Sequence, residues 1–184
     1  MRLGRRRVAA AGMLIAALLL GYGSGSGHAE SSASLEYKVK GAFLLNFARF
    51  TKWPAEVFAA ANSPLTVGIV GDAPFGSAID ELVAGESIGE RPIVVKRMKP
   101  TDDLSQCQVL FIPRSVNAGE LLKRLGGTGV LTVGESDGFL ETGGVIQFVV
   151  EQNRVRFEVN NGAAHRARLE LSSQLLKLAK MVMP

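Results

Sequence analysis

The chain has 184 residues, with 21 lysines and arginines against 17 acidic residues, which gives a formal net charge of +4. The whole excess lies in Arg2, Arg5, Arg6 and Arg7, because residues 1–29 contain no acid and the other 17 basic residues balance the 17 acids. The remaining, neutral part of about 155 residues is one domain of ordinary size. It lacks the basic field with which proteins attract nucleic acid, so a nucleic-acid partner is excluded at this level.

The first 29 residues have the pattern of a cleaved secretory signal. The arginine cluster is followed by an apolar run from Val8 to Leu20 and by a Gly/Ser-rich stretch that ends in "GHA". A basic start, an apolar middle and small residues at the cleavage site are typical of such signals. The run is also short for a permanent membrane helix, which needs about 20 apolar residues. We predict a signal peptide over 1–29, an exported domain over 30–184 and no stable membrane insertion after cleavage; an uncleaved anchor is the alternative.

The stretch "EYKVKGAFLLNFARFTKWP" at 36–54 predicts a buried helix. Its apolar residues recur at helical spacing and cover most of the circumference, as in helices packed between other elements. Lysine, arginine and asparagine interrupt it, so it is not a membrane span. Ser34 is a candidate N-cap, and Pro54 predicts that the helix ends at or just before Trp53. Asn46 falls on the aromatic side, which leaves open either backbone hydrogen bonds or partial exposure.

The central part alternates strands with helices. The segments "LTVGIV", "RPIVVKRM", "CQVLFIP" and "GVLTVGES" predict strands, while residues 75–84 and the segment "NAGELLKRLGG" predict helices. This alternation is typical of a parallel α/β sheet. The continuous apolar character of "VLFI" and "VLTV" predicts strands covered on both faces.

The C-terminal third predicts a hairpin and a helix. The segment "GGVIQFVVEQNRVRFEVN" divides into two strands at Gln152-Asn153, and its second strand alternates apolar with charged residues. From Ala164 to Val182 the apolar residues lie at helical spacing, which predicts an amphipathic helix of about five turns. The predicted fold is therefore a single α/β domain with a mostly parallel central sheet, flanking helices, a C-terminal antiparallel hairpin and a long final helix.

Candidate ligand-binding residues lie at the strand ends. Gly71-Asp72 follows the first central strand, at the edge where open α/β sheets bind ligands, and Glu135 follows the fourth. The glycines near Asp72 fit neither a dinucleotide fingerprint nor a phosphate-binding loop. After signal cleavage His165 is the only histidine, and no serine lies in a nucleophile motif. We predict no catalytic site, no metal site and no cofactor.

Cys107 is the only cysteine, so the chain cannot form an internal disulfide. The thiol lies in the apolar strand "CQVLFIP", where a free cysteine behaves as a small buried hydrophobe. We predict that it is buried and inert.

Three sequence blocks stand out together. The first contains Tyr37, Val39, Lys40, Phe43, Leu44, Asn46, Phe47, Phe50, Trp53 and Pro54. The second contains Gly143, Gly144, Ile146, Phe148, Arg156, Phe157 and Asn160. The third contains Ser172, Ser173, Leu175, Leu176, Leu178 and Ala179. These blocks resemble the motifs of the YfiR family of exported bacterial proteins, also called the DUF4154 family, and the resemblance spans essentially the whole mature chain.

The resemblance implies a periplasmic regulator that is not an enzyme. It implies that the protein represses an inner-membrane diguanylate cyclase by binding its periplasmic sensor domain, which lowers cyclic di-GMP output and biofilm formation. The best understood member type is a homodimer with disulfides that stabilise the fold. The single Cys107 departs from that type: no internal redox switch can form, and a bridge between chains requires an exposed thiol.

Two uses of the surface remain as hypotheses. In the first, the polar face of the hairpin and final helix contributes to a protein interface through Arg154, Arg156, Glu158 and Arg168; the alternative is ordinary solvated charge. In the second, the protein is a periplasmic small-ligand binding module that uses the strand-end crevice around Gly71-Asp72 and Glu135.

Overall fold

The computed structural model describes residues 32–184, so the predicted signal peptide lies outside the described residues. The helices are α1 (Ser32–Arg49), α2 (Ala78–Val83), α3 (Ala118–Arg124), α4 (Asn161–Arg166) and α5 (Ser173–Leu178). The strands are β1 (Thr51–Lys52), β2 (Leu65–Val70), β3 (Ser87–Ile88), β4 (Arg91–Met98), β5 (Val109–Ile112), β6 (Leu131–Gly134), β7 (Ile146–Glu151), β8 (Arg154–Asn160), β9 (Glu170–Leu171) and β10 (Met181–Met183). No helix in this part of the chain is long and apolar enough to span a membrane.

Eight strands form one mixed sheet in the order β10-β8-β7-β6-β5-β2-β4-β3. The five strands β4, β2, β5, β6 and β7 run parallel, while β8 is antiparallel to β7 and β3 is antiparallel to β4. The chain passes from β2 to β4 on one side and then to β5 on the other, so the winding direction reverses between β2 and β5. This topology confirms the predicted single α/β domain with a mostly parallel sheet.

Both faces of the central strands are covered, as the sequence predicts. Along β5, Val109 and Phe111 pack with α1 and α2, whereas Leu110 and Ile112 pack with α3. All four side chains are fully buried, because successive residues of a strand point to opposite faces. Full burial of each large apolar side chain stabilises the fold by about 1.5–3 kcal/mol.

The first helix is the central element of one layer of the core. Phe47 is fully buried and contacts Phe148 and Phe157 with ring centroids 5.6 and 4.9 Å apart. Aromatic pairs at such distances contribute beyond the area that they bury. The predicted buried helix is therefore confirmed. Of the two alternatives for Asn46, backbone hydrogen bonds or partial exposure, the structure shows exposure, because the side chain faces solvent.

The predicted ends of α1 need correction. The helix ends at Arg49 rather than near Trp53, because Thr51 and Lys52 leave it to form β1, which pairs with β9. Ser34 is not an N-cap, since it lies inside α1. The predicted helix over 75–84 is likewise shorter, as α2 begins at Ala78 and ends at Val83.

The predicted long final helix is wrong. Its span contains α4, β9, α5 and β10 instead. The helix cannot continue through Arg168, whose φ is +59°. Part of the sequence that follows forms strands instead: β9 pairs with β1, and β10 pairs with β8. The hairpin prediction is confirmed, because β7 and β8 are joined at Gln152 and Asn153, which both have positive φ.

Candidate functional site

A polar pocket lies at the carboxyl edge of the parallel strands. Its volume is about 780 Å³, and α1 forms one wall. Asp72 follows β2, Arg114 follows β5 and Glu135 directly follows β6, so residues that are distant in sequence meet at this edge. The winding of the sheet reverses here, between β2 and β5, which is where open α/β sheets bind ligands. The structure thus brings together Asp72 and Glu135, the two acidic residues of the predicted crevice.

A buried charge network forms the inner wall of this pocket. The Nζ atom of Lys40 lies 2.5 Å from Oε2 of Glu135, and the two side chains are only 3% and 8% exposed. Glu36, one turn earlier on α1, lies 2.6 Å from the same Nζ. The Tyr37 hydroxyl donates to Oε1 of Glu135 at 2.9 Å, and the backbone N–H of Arg114 donates to it at 3.1 Å. Three donors thus satisfy the carboxylate, as a buried charge requires.

The same contacts fix the protonation states. Burial alone raises the pKa of Glu135, but hydrogen bonds from Lys40 and from the Arg114 backbone outweigh burial and hold that pKa below the ordinary glutamate range. Burial, followed by the hydrogen bond to Glu135, raises the pKa of Tyr37. Nζ of Lys40 also lies 4.4 Å from the centroid of the Tyr37 ring, which is within the range of a cation–π contact. The network therefore joins the ionised Glu135 carboxylate and the neutral Tyr37 phenol around Nζ of Lys40.

Exposed charges surround the mouth of the pocket. Nη2 of Arg114 lies 3.6 Å from Oδ1 of Asp137. Nζ of Lys180 lies 2.6 Å from Oε1 of Glu151, and the hydrogen bond to that carboxylate raises the pKa of Lys180. Asp72 has no ion-pair partner among the described residues. Five carboxylates and three basic side chains line the whole pocket, so it favours a ligand that is neutral or carries a positive group.

The arrangement holds charges in place and does not align a nucleophile with a base. Ser115 lines the pocket, but no hydrogen bond within residues 32–184 joins it to a histidine or a carboxylate. His165 lies on the exposed side of α4, where Nε2 is 3.1 Å from Nδ2 of Asn161. Within the described part of the chain, no three histidine, cysteine or acidic side chains are grouped to hold a metal ion. The pocket is suited to recognition of a polar group.

The four residues predicted for partner binding do not form one patch. Arg154 and Arg156 are exposed on β8, and the described structure gives neither an ion pair. Glu158, on the same strand face, is held by Lys180 at 3.1 Å. The fourth, Arg168, is at the other end of the sheet, where it bonds Glu56 and the carbonyl of Gly127.

Several motif residues have structural contacts. Asn160, which is 7% exposed, donates to the carbonyl of Leu140 and accepts the N–H of Ala163, so it caps α4. Trp53 donates from Nε1 to the carbonyl of Gln108 at 3.3 Å. Among the glycines of the second block, Gly144 packs so closely on the Phe139 ring that a Cβ would overlap it, and Gly143 has a φ of +105°.

Cys107 is buried, as predicted, with 1% exposure. Burial raises the pKa of its thiol to about 11, and Sγ lies 3.1 Å from Sδ of Met98. A protonated thiol without solvent access is a poor nucleophile. The thiol is therefore not poised for a bridge to a second chain.

Sequence reasoning identified Glu135 at a strand end but did not find its partner. Lys40 lies 95 positions away on a helix that the apolar pattern assigns to the core. One signal was available: Glu36 and Lys40 are four residues apart and Tyr37 lies beside them, so α1 carries a polar stripe on one side. A lysine within a buried helix requires a carboxylate partner.

Comparison with known proteins gives one family. The family model described as YfiR/HmsC-like (DUF4154) matches residues 37–180. The match begins at Tyr37 and includes α1 from that residue onward, every strand of the eight-stranded sheet except β10, and the pocket residues Lys40 and Glu135. No curated protein matches the chain.

Proposed function

Because the chain belongs to the YfiR/HmsC-like family, whose members are regulators of diguanylate cyclase signalling, we propose that it acts in the periplasm as a repressor. In this proposal the exported protein binds the periplasmic sensor domain of an inner-membrane diguanylate cyclase and holds the enzyme inactive. Cyclic di-GMP output and biofilm formation then fall.

The match over residues 37–180 carries this proposal, and the structure supports it in two ways. The charged side chains of the strand-end network are bound to one another, with Lys40 held between Glu36 and Glu135. In contrast, large apolar side chains remain exposed beside this site, including Leu35 and Val150 at 56% and 50%. Exposed apolar surface next to polar residues is typical of protein contact sites.

The proposal predicts a specific partner and a specific compartment. Cells that export the protein are expected to hold less cyclic di-GMP than cells in which it is deleted, provided that the cyclase is present. A version that starts at Glu30 and stays in the cytoplasm is the matched control, and it should leave the nucleotide level unchanged. Tagged exported protein should also be retained by membranes that contain the cyclase and not by membranes that lack it. Equal cyclic di-GMP in all strains, or retention that does not depend on the cyclase, would contradict the proposal.

The predicted interface residues give a second arm to this test. Arg154 and Arg156 are unpaired in the described structure, whereas Arg168 is already bonded to Glu56. We expect charge reversal at the first two to weaken membrane retention more than reversal of Arg168. Because charges at the rim of an interface mainly change the association rate, the loss should grow smaller at high salt.

A second candidate is a small-ligand binding module, favoured by the pocket of about 780 Å³ at the strand ends. Its free carboxylate, Asp72, makes it suitable for a small ligand with a positive group. A library of such compounds is expected to raise the unfolding temperature of the wild type but not of Asp72→Asn, which keeps the shape and removes the charge. If the protein is such a module and not a repressor, stabilisation is seen without retention by cyclase-containing membranes.

A further inference from the structure

An apolar groove runs between the N-terminal half of α1 and the β7–β8 hairpin. Its volume is about 590 Å³. Leu35, Val39 and Phe43 line one wall, and Val150 and Val155 line the other. Three of these side chains are well exposed, at 56% for Leu35, 37% for Val39 and 50% for Val150. Single exposed aliphatic residues are ordinary on protein surfaces, but several that converge in one groove indicate a contact site.

The groove exists because side-chain size decreases along the hairpin. In the register of β7 and β8, Phe148 faces Phe157 and Val150 faces Val155. The phenylalanine pair reaches Phe43 of α1, with ring centroids 6.0 and 5.6 Å apart. The valine pair is shorter, so it does not close against the preceding turns of the helix. The distance along α1 from Ser32 to Phe43 is about 16 Å, which is enough for about three turns of a helix or five residues of a strand.

We infer that this groove binds an apolar segment of the periplasmic partner, and that the segment carries an acidic residue that pairs with Arg154. This inference rests on the proposed function and identifies the surface through which the partner is bound. The charge of the rim selects the occupant. Arg154 is the basic residue of the groove, it is exposed, and it has no ion pair within residues 32–184.

No carboxylate of the groove is available for a basic segment. Glu36 also lines the groove, but its carboxylate is bound to the ammonium of Lys40 at 2.6 Å. The other polar lining residues, Ser32 and Asn153, carry no charge. An apolar segment with an acidic residue is therefore complementary to the groove, whereas one with a basic residue would meet the like charge of Arg154.

The test places a photoreactive amino acid at Val39 in the full chain, exported from the native strain. The control places it at Leu178, an apolar residue that is 64% exposed and lies outside the groove. We expect the Val39 probe to cross-link to the periplasmic domain of an integral membrane protein. The linked peptide should be apolar and contain an aspartate or glutamate, and the Leu178 probe should not yield it.

Charge reversal then tests the predicted ion pair. In the Val39 probe background, Arg154→Glu is expected to lower the yield of the adduct about tenfold, because it places two like charges together at the interface. Changing the acidic residue of the linked peptide to lysine should restore the yield with Arg154→Glu. Arg166→Glu, an exposed reversal on α4 away from the groove, is the matched control and should leave the yield unchanged.

The outcomes separate this inference from the proposed function. If cyclase-containing membranes retain the protein but the Val39 probe gives no more adduct than Leu178, the inference is overturned and the proposed function stands. An adduct to a second copy of the chain, or to residues 8–20 of a precursor, also overturns it, because the groove then serves this protein itself. If no membranes retain the protein, both fail.

Discussion

Lys40 and Glu135 lie 95 positions apart and form an ion pair of 2.5 Å that joins α1 to the end of β6. The pair connects the first helix of the described structure to the edge at which the parallel strands end. It also forms the inner wall of the polar pocket, so the stability of the fold and the shape of the candidate site depend on the same contact.

Removal of the buried ammonium should be strongly destabilising. We expect Lys40→Met to lower the free energy of unfolding by about 3–5 kcal/mol, because it removes the cation that pairs with the buried Glu135 carboxylate. The measurement is urea denaturation of the mature chain. Lys52→Met is the matched control: its ion pair with Glu170 is 3.9 Å long with both side chains largely exposed, and we expect a change of at most about 1 kcal/mol. Equal effects of the two substitutions would show that the Lys40 pair does not stabilise the fold.

The depressed pKa of Glu135 predicts a dependence of stability on pH. A carboxyl group whose pKa is lower in the folded state stabilises the fold above its unfolded-state value and loses this effect as pH falls through the folded-state value. The contribution should therefore be present above about pH 4.3 and be lost as the pH falls further, through the lower folded-state pKa of Glu135. Glu135→Gln should remove this part of the acid dependence. The check is the free energy of unfolding of both proteins across the acidic range; parallel curves would contradict the assignment.

Tyr37 allows a direct optical test, because it is the only tyrosine after residues 1–29 are removed. Its hydroxyl is buried against the Glu135 carboxylate, and its pKa is raised. In an alkaline titration the folded protein should show little phenolate absorbance at about pH 10, where an unfolded tyrosine is half ionised. Phenolate should appear only as pH approaches the higher folded-state pKa, where the neutral form no longer stabilises the fold. Half ionisation near pH 10 without unfolding would disprove the contact.

Gly144 should tolerate no larger residue. A Cβ at this position would overlap the ring of Phe139, which is 1% exposed. We expect Gly144→Ala to lower the free energy of unfolding by about 1–3 kcal/mol through overpacking. Gly126→Ala is the control, because its Cβ would lie 3.7 Å from the nearest atom, the carbonyl oxygen of Lys123, and should change stability by no more than about 0.5 kcal/mol. Thermal unfolding of both variants tests the difference.

The thiol of Cys107 should be unreactive in the native protein. Burial and its pKa of about 11 predict slow alkylation of the folded chain and fast alkylation after unfolding. Oxidation of the native protein should give no disulfide-linked dimer on a non-reducing gel. Rapid labelling under native conditions, or a dimer that Cys107→Ala abolishes, would instead support regulation through this thiol.

Much of the fold could be predicted from sequence, because the spacing of apolar residues indicates which side chains are buried. The apolar runs of β2, β5 and β6 mark strands covered on both faces, and Gln152-Asn153 marks the hairpin turn. The final third could not be predicted in this way. Its apolar residues fit a helical period, but the choice between one helix and the observed short elements depends on the partners β1 and β8, which lie far away in sequence.

The candidate site shows the same limit. Glu135 and Asp72 were identified because strand ends are positions that ligands prefer. The network that Glu135 forms requires the packing of α1 over the ends of β5 and β6, which no local pattern specifies. For the same reason, the four charged residues assigned to one surface from their place in the hairpin and final helix were separated when that helix divided into shorter elements.

Glu36 and Val150 line both the polar pocket and the apolar groove, so one turn of α1 is a wall shared by two sites. Any molecule that enters the pocket and displaces the Glu36 side chain alters the neighbouring groove. If a ligand in the pocket changes the affinity of the groove for its partner by some factor, thermodynamic linkage requires that the partner change the affinity of the pocket for that ligand by the same factor. A solute of the surrounding medium and a bound protein can thus be coupled through a single helical turn, without a disulfide and without a change of fold.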